Sequence, residues 1–318
     1  MFLFCVLLLE LTLRICGYGN LEIYEPDPLL YWKLKPNQNC FTKIDRRPVR
    51  INSLGTRGAE FTTAKKPGVF RILSLGDSRT FGWGLAESET YSDRLRVSLQ
   101  QSWGNATNVE VINAGVNAWS YPQMLVFLRE TGLKWQPDCV ILAEANLWTQ
   151  FSEKNSPEFV HKFMFRVRLK NFLRHFAIYH FVVEVKLKEF YEKHRTKFIP
   201  VDPTQDALFR AQQQKDPAAA FRSAVEDICQ LAITNHIKPV LLYLPTLQDL
   251  DATNTPLVLE IKQEASRKLG VPLVDLTQDI RPTGKSLYLE ADPVHLNSEG
   301  NDLIARKLLQ TVTNLSAK

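Results

Sequence analysis

The chain has 318 residues, 45% of them hydrophobic and 23% charged, enough to bury one substantial core and outside the range of a disordered polymer. A formal net charge of +5 is mild and dispersed, so nucleic acid is not an expected partner. The five cysteines (Cys5, Cys16, Cys40, Cys139, Cys229) are odd in number, far apart and without C-x-x-C spacing. That pattern supports neither a disulfide scaffold nor a zinc site, and core packing is the expected role of Cys139 and Cys229.

The chain opens on an apolar run from Phe2 to Cys16, interrupted by Glu10 and Arg14. The run is short against the roughly 20 residues of a membrane-crossing helix. It lacks a preceding basic segment and a small-residue cleavage site, so it is not a signal peptide, and Arg14 before Cys16 is unlike a lipoprotein cleavage box. Residues 1–20 are read as a membrane anchor whose beginning precedes Met1, against the alternative of a buried N-terminal helix. The basic residues that follow (Lys33, Lys35, Lys43, Arg46, Arg47, Arg50) would by themselves place the flanking chain in the cytoplasm.

Residues 21–67 are rich in Pro, Asn, Gly and short polar stretches, and read as an extended arm lying on the main domain, with turns at Pro26-Asp27-Pro28 and Ser53-Leu54-Gly55. From residue 68 onward short apolar runs alternate with helical patterns, the signature of β-α-β units. Strands are expected at 69–75, 109–113, 139–143, 239–244 and 272–276. Helices are expected at 91–102, 121–133, 218–234, 256–269 and 298–311. Asn297 suits the N-cap of the last, although Gly300 stands where a capping box wants Glu or Gln. The fold class is α/β: a three-layer α/β/α sandwich around a five-stranded parallel sheet of flavodoxin-like strand order, with the working residues beyond the carboxyl ends of the strands.

A long insertion is expected at about 148–217. Phe165, Leu169, Phe172, Phe176, His180, Val183, Leu187 and Phe190 recur there at helical spacing. Residues 161–197 carry ten Lys or Arg against three Glu. The insertion is read as a helical cap with solvated charges, against the alternative of direct contact with an anionic membrane.

Chemistry is suggested at four places. The first strand runs into Gly76-Asp77-Ser78, which puts a hydroxyl at a strand-to-helix turn near helix N–H groups. Near the C-terminus stands Asp292-Pro293-Val294-His295. A serine needs a base at neutral pH, an imidazole is the natural one, and a carboxylate three residues earlier can fix its tautomer. Asn113-Ala114-Gly115 follows the second strand, and Gly115 can offer its N–H to a developing oxyanion. Asn146 follows the third strand and can add its side-chain amide, giving with the Ser78 N–H a three-donor hole.

These four pieces, in this order, resemble the signature blocks of the SGNH/GDSL hydrolase superfamily. The stretches Gly76 to Gly84 (GDSRTFGWG) and Asp292 to Gly300 (DPVHLNSEG) carry the resemblance best. The asparagine block departs from it: Glu144-Ala145-Asn146-Leu147 stands where the superfamily has Gly-x-Asn-Asp, which sets a carboxylate near the expected oxyanion hole. The resemblance implies a serine esterase with triad Ser78, Asp292 and His295 and oxyanion donors Ser78, Gly115 and Asn146, acting without metal or cofactor. Implied substrates are O-acetyl groups on envelope glycans or lipid acyl esters. A membrane-anchored O-acyltransferase and a glycan-binding pseudoenzyme are the competing readings. The arm, through Tyr24 to Pro28, Lys35-Pro36-Asn37 and Ile51 to Gly58, resembles the segment that joins a membrane anchor to the hydrolase domain in bacterial relatives. That implies an extracytoplasmic face, against the arm's own charges.

Overall fold

A computed structural model describes residues 1–21, 24–42, 46–104, 107–143, 157–187, 190, 217–290 and 292–316. The N-terminal run forms α1 (Phe2–Ile15). Two antiparallel hairpins follow: β1 (Tyr24–Asp27) with β2 (Tyr31–Leu34), and β3 (Gln38–Phe41) with β4 (Pro48–Ile51). The first turn is closed by Asp27, whose Oδ1 accepts from the N–H groups of Leu29 and Leu30.

The arm is therefore not a simple extended strap. Tyr31, Trp32, Leu34, Val49 and Ile51 are buried in the main core. Trp32 donates its indole N–H to the Asn117 carbonyl and accepts, on its own carbonyl, the indole N–H of Trp119. Beyond β4, Arg57 bridges to Asn113, which lays the arm along an otherwise open sheet edge.

The remaining elements are β5 (Val69–Gly76), α2 (Ser78–Phe81), α3 (Tyr91–Trp103), β6 (Asn108–Gly115), α4 (Tyr121–Glu130), β7 (Cys139–Ala143), α5 (Pro157–Arg174), α6 (Ala177–Tyr179), α7 (Pro217–Thr234), β8 (Lys238–Tyr243), α8 (Leu247–Asp251), α9 (Leu257–Leu269), β9 (Leu273–Asp275), α10 (Thr277–Ile280) and α11 (Ser298–Ser316). A π-helical stretch, His180–Leu187, continues α6. The helix expected to reach residue 133 ends at Glu130, and a 3-10 turn over Gly132–Trp135 takes its place. Asn297 caps α11 as expected, with its Oδ1 accepting from the Gly300 N–H.

The sheet is five-stranded and parallel, in the order β6-β5-β7-β8-β9. Strict alternation splits its side chains between two cores. Leu73, Leu75, Val140, Leu142 and Leu241 meet α4, α7 and α9 on one face. Ile72, Ile141, Val240 and Leu242 meet α3 and α11 on the other. Cys139 and Cys229 lie inside these cores, and burial pushes each thiol up to about 12. The order reverses between β5 and β7, and ligands of such sheets gather at that crevice.

Two features bear on the expected anchor and cap. α1 is some 21 Å long at ~1.5 Å per residue, against a hydrocarbon core of about 30 Å. Among the described residues no helix is long and apolar enough to cross a membrane. Nor is α1 a buried helix, since only Leu13 in it is buried. In the insertion, the stripe Phe165, Leu169, Phe172 faces outward, and Phe159, Val160, Phe163 and Val167 pack on the body instead. α5 carries two apolar faces, and it contacts β1 and β2 of the arm. Of the expected stripe only His180 is buried, held by the Gly19 N–H at 2.8 Å.

Candidate active site

β5 delivers Gly76-Asp77-Ser78 to the C-terminal edge of the sheet. Asp77 is the N-cap of α2, its Oδ1 accepting from the Arg79 N–H at 2.9 Å. Gly76 is required by close approach: a Cβ there would lie 2.0 Å from Thr80 Oγ1 and 2.4 Å from the Ala143 carbonyl. Ser78 thus opens a helix at the strand end, its hydroxyl facing the loop that leads into α11.

That loop brings the base. Ser78 Oγ lies 2.7 Å from His295 Nε2, and His295 Nδ1 lies 2.7 Å from Asp292 Oδ2. An ionised carboxylate only accepts, so the proton sits on Nδ1 and Nε2 is left to accept from the Ser78 hydroxyl. The other oxygen, Asp292 Oδ1, accepts from the N–H groups of Val294 (2.9 Å) and His295 (3.0 Å), fixing the loop itself. Burial opposes ionisation of Asp292, but the hydrogen bond and charge of His295, with those two N–H groups, outweigh it and hold the carboxyl below its ordinary range.

A second carboxylate lies close by. Asp77 is buried, which favours its neutral form, yet the charge and hydrogen bonds of Arg79 prevail and its pKa is lowered, with His295 adding in the same sense. Arg79 pairs with Asp77 at 2.5 Å and donates to the Leu244 carbonyl at 3.1 Å, so a buried ion pair braces the turn that carries Ser78. Sequence reading missed this pair, because an arginine after the serine looks like a surface residue until its burial is seen.

Gly115 is not where the sequence reading put it to use. Its N–H donates to Asn113 Oδ1 at 3.1 Å, while Asn113 Nδ2 donates to the Thr80 carbonyl at 2.7 Å. A Cβ on Gly115 would stand 2.2 Å from the Phe81 nitrogen. Gly115 therefore lets α2 settle on the sheet end beside its register partner Gly76, with its own N–H already engaged. The residue that reaches the site is Ala118, exposed and at φ +64°. Left-handed backbone costs a non-glycine residue about 1–2 kcal/mol. Neither the Ser78 nor the Ala118 N–H has an acceptor among the described residues. Asn146, with Glu144 and Leu147, lies outside the described residues.

A cavity of about 470 Å³ joins these groups, lined by Asp77, Ser78, Arg79, Trp83, Asn117, Ala118, Trp119, Thr246, Val294 and His295. Trp83 walls the base, its ring 6.0 Å from the imidazole. No described residue of the insertion lines this cavity. The arrangement can pass a proton from a serine hydroxyl to an imidazole, and Ser78 and Ala118, whose N–H groups are unengaged among the described residues, line the same cavity.

No family model and no curated relative matches the chain. Solved structures do. A two-domain esterase active on acetylated mannans is similar over 79% of this chain and 50% of its own, at 13% identity and a TM-score of 0.47, so this chain spans about half its length. A lipase/acylhydrolase from Enterococcus faecalis is similar over 77% of this chain and 96% of its own, at 17% identity and a TM-score of 0.48. An acetyl xylan esterase is similar over 76% of this chain and all of its own, at 18% identity and a TM-score of 0.47.

Proposed function

We propose that this chain is a serine esterase of the SGNH/GDSL kind, with Ser78 as nucleophile, His295 as general base and acid, and Asp292 as the carboxylate that orients and stabilises the imidazole. The observation that carries the reading is the unbroken hydrogen-bonded chain from Ser78 through His295 to Asp292, at the edge of a parallel sheet where ligands of such folds bind.

In the first step the Ser78 proton passes to His295 Nε2 as Oγ bonds to the ester carbonyl carbon, and the carbonyl oxygen becomes an oxyanion. The N–H groups of Ser78 and Ala118 stabilise that charge, and the Asn146 amide is the third donor expected from the sequence. Collapse expels the alcohol, which takes its proton from His295. Water then attacks the acyl-serine by the same route, and the acid is released. The steps draw on no metal or cofactor.

The substrates proposed are acyl esters, with O-acetyl groups on glycans and lipid acyl esters as the two classes. The test is labelling with a fluorophosphonate probe, mapped by peptide mass spectrometry, beside hydrolysis of aryl esters of increasing acyl length. Labelling at Ser78 with turnover lost in Ser78→Ala is the expected result, and the preferred acyl length separates the two classes. A folded protein that neither labels nor turns over would refute the reading and favour a glycan-binding role.

A further inference from the structure

We propose that α1 and α5 together form a lipid-binding platform that seats the protein on the surface of an anionic phospholipid bilayer. The inference does not depend on the esterase reading.

α1 is apolar around nearly its whole circumference, and Phe2, Leu3, Phe4, Leu7, Leu8 and Leu11 are all exposed. A helix that is apolar on every side belongs in a core or in lipid. Its three polar side chains, Glu10, Thr12 and Arg14, each have a partner within the protein. The Glu10 carboxylate accepts from the N–H groups of Ala177 and Ile178 at the start of α6, at 2.9 and 3.0 Å. Arg14 pairs with Glu10 and donates to the His175 carbonyl, and the Thr12 hydroxyl donates to the Leu8 carbonyl at 2.8 Å. The two charges that spoil this run as a crossing helix are thus the clamp that holds it to the insertion.

α5 supplies a second exposed apolar surface and the matching charge. At ~100° per residue, Phe165, Leu169 and Phe172 fall within about 60° of one another, with Lys162 on one side of the stripe and Arg168 on the other. Arg46 and Arg47 are exposed where α1 ends, and Arg46 donates to the Cys16 carbonyl there. Apolar surface bordered by exposed cations is complementary to acyl chains beneath anionic headgroups. A second copy of the chain would bring like charge to the same border.

The full chain should float with phosphatidylcholine vesicles containing phosphatidylglycerol and bind vesicles of phosphatidylcholine alone less tightly, with high salt weakening the former. Leu8→Glu/Leu11→Glu, and separately Phe165→Glu/Phe172→Glu, should each weaken binding by about tenfold or more. Circular dichroism and melting temperature are expected to match the parent. A chain that ignores both vesicles and sediments as a dimer would overturn the proposal in favour of self-association. Binding insensitive to the α5 pair would overturn the joint platform, leaving α1 as the sole contact.

Discussion

Arg57, from the arm, lies over the ring of Phe81 with its guanidinium carbon 4.8 Å from the centroid, and donates to the Phe81 carbonyl at 2.6 Å. The same group reaches the carbonyls of Gly82 (2.7 Å) and Leu85 (2.5 Å), so one buried side chain satisfies the end of the helix that carries Ser78. Arg57→Ala should cost about 2–4 kcal/mol of stability, because buried carbonyls lose charge-assisted donors. It should also lower kcat as the serine turn loosens. Denaturant unfolding and aryl-ester kinetics check both, and Arg57→Lys, which keeps charge without the fork, should recover only part.

The two oxygens of Asp292 do different work, one holding the imidazole and one the loop. Asp292→Asn keeps an acceptor for the loop N–H groups but presents an amide to Nδ1 and favours the wrong tautomer. Turnover should fall by about 10³–10⁴ with little change in melting temperature. Asp292→Ala should lose both turnover and stability. Equal melting temperatures for the two variants would contradict this division.

Gly115 and Ala118 make opposite predictions under alanine–glycine exchange. Gly115→Ala forces a Cβ against the α2 backbone and should destabilise by about 3 kcal/mol or more, or prevent folding. Ala118→Gly relieves left-handed strain while keeping the N–H, and should raise stability by up to about 1 kcal/mol with turnover retained. A strong rate loss in a well-folded Gly115→Ala, or marked destabilisation in Ala118→Gly, would reverse the assignment.

Acid should remove stability that both aspartates supply. Asp77 and Asp292 are lowered from 3.8 in the folded chain, so unfolding takes up protons as the pH falls. Their contribution is present above about pH 4 and is lost as the pH drops through the folded values. Urea midpoints measured from about pH 6 to pH 2 should fall steeply below about pH 4. Asp77→Asn should be less stable throughout, since Arg79 loses its partner, but with a shallower acid slope.

The parallel sheet was legible in the sequence because each strand is a short apolar run between turn residues, and Cys139–Ala143 was read to the residue. That Ser78, Asp292 and His295 would come together was legible because the chemistry that pairs them is in their side chains. Ala118 was not, since it contributes a backbone N–H and a backbone angle, neither of which alanine announces. Gly115 was misassigned because a glycine after a strand serves equally to free an N–H or to admit another backbone, and only the seat of α2 decides. The arm hid its role for a different reason: Tyr31, Trp32 and Leu34 are core residues on a four-residue strand, too short for periodicity to register. In α5 the sequence offers two apolar stripes, and which one packs depends on the hairpin beneath it.

The Glu10 clamp sets an order of events in synthesis. Its acceptor oxygens bind N–H groups 167 and 168 residues later in the chain. At ~5–20 residues per second, α1 waits on the order of 10–30 seconds after its own translation before that partner exists. Throughout that interval, as in the finished fold for all but Leu13, its leucines and phenylalanines have little intramolecular cover. Whatever shields them then, ribosome-associated factor or lipid, meets the protein before the α/β core is complete.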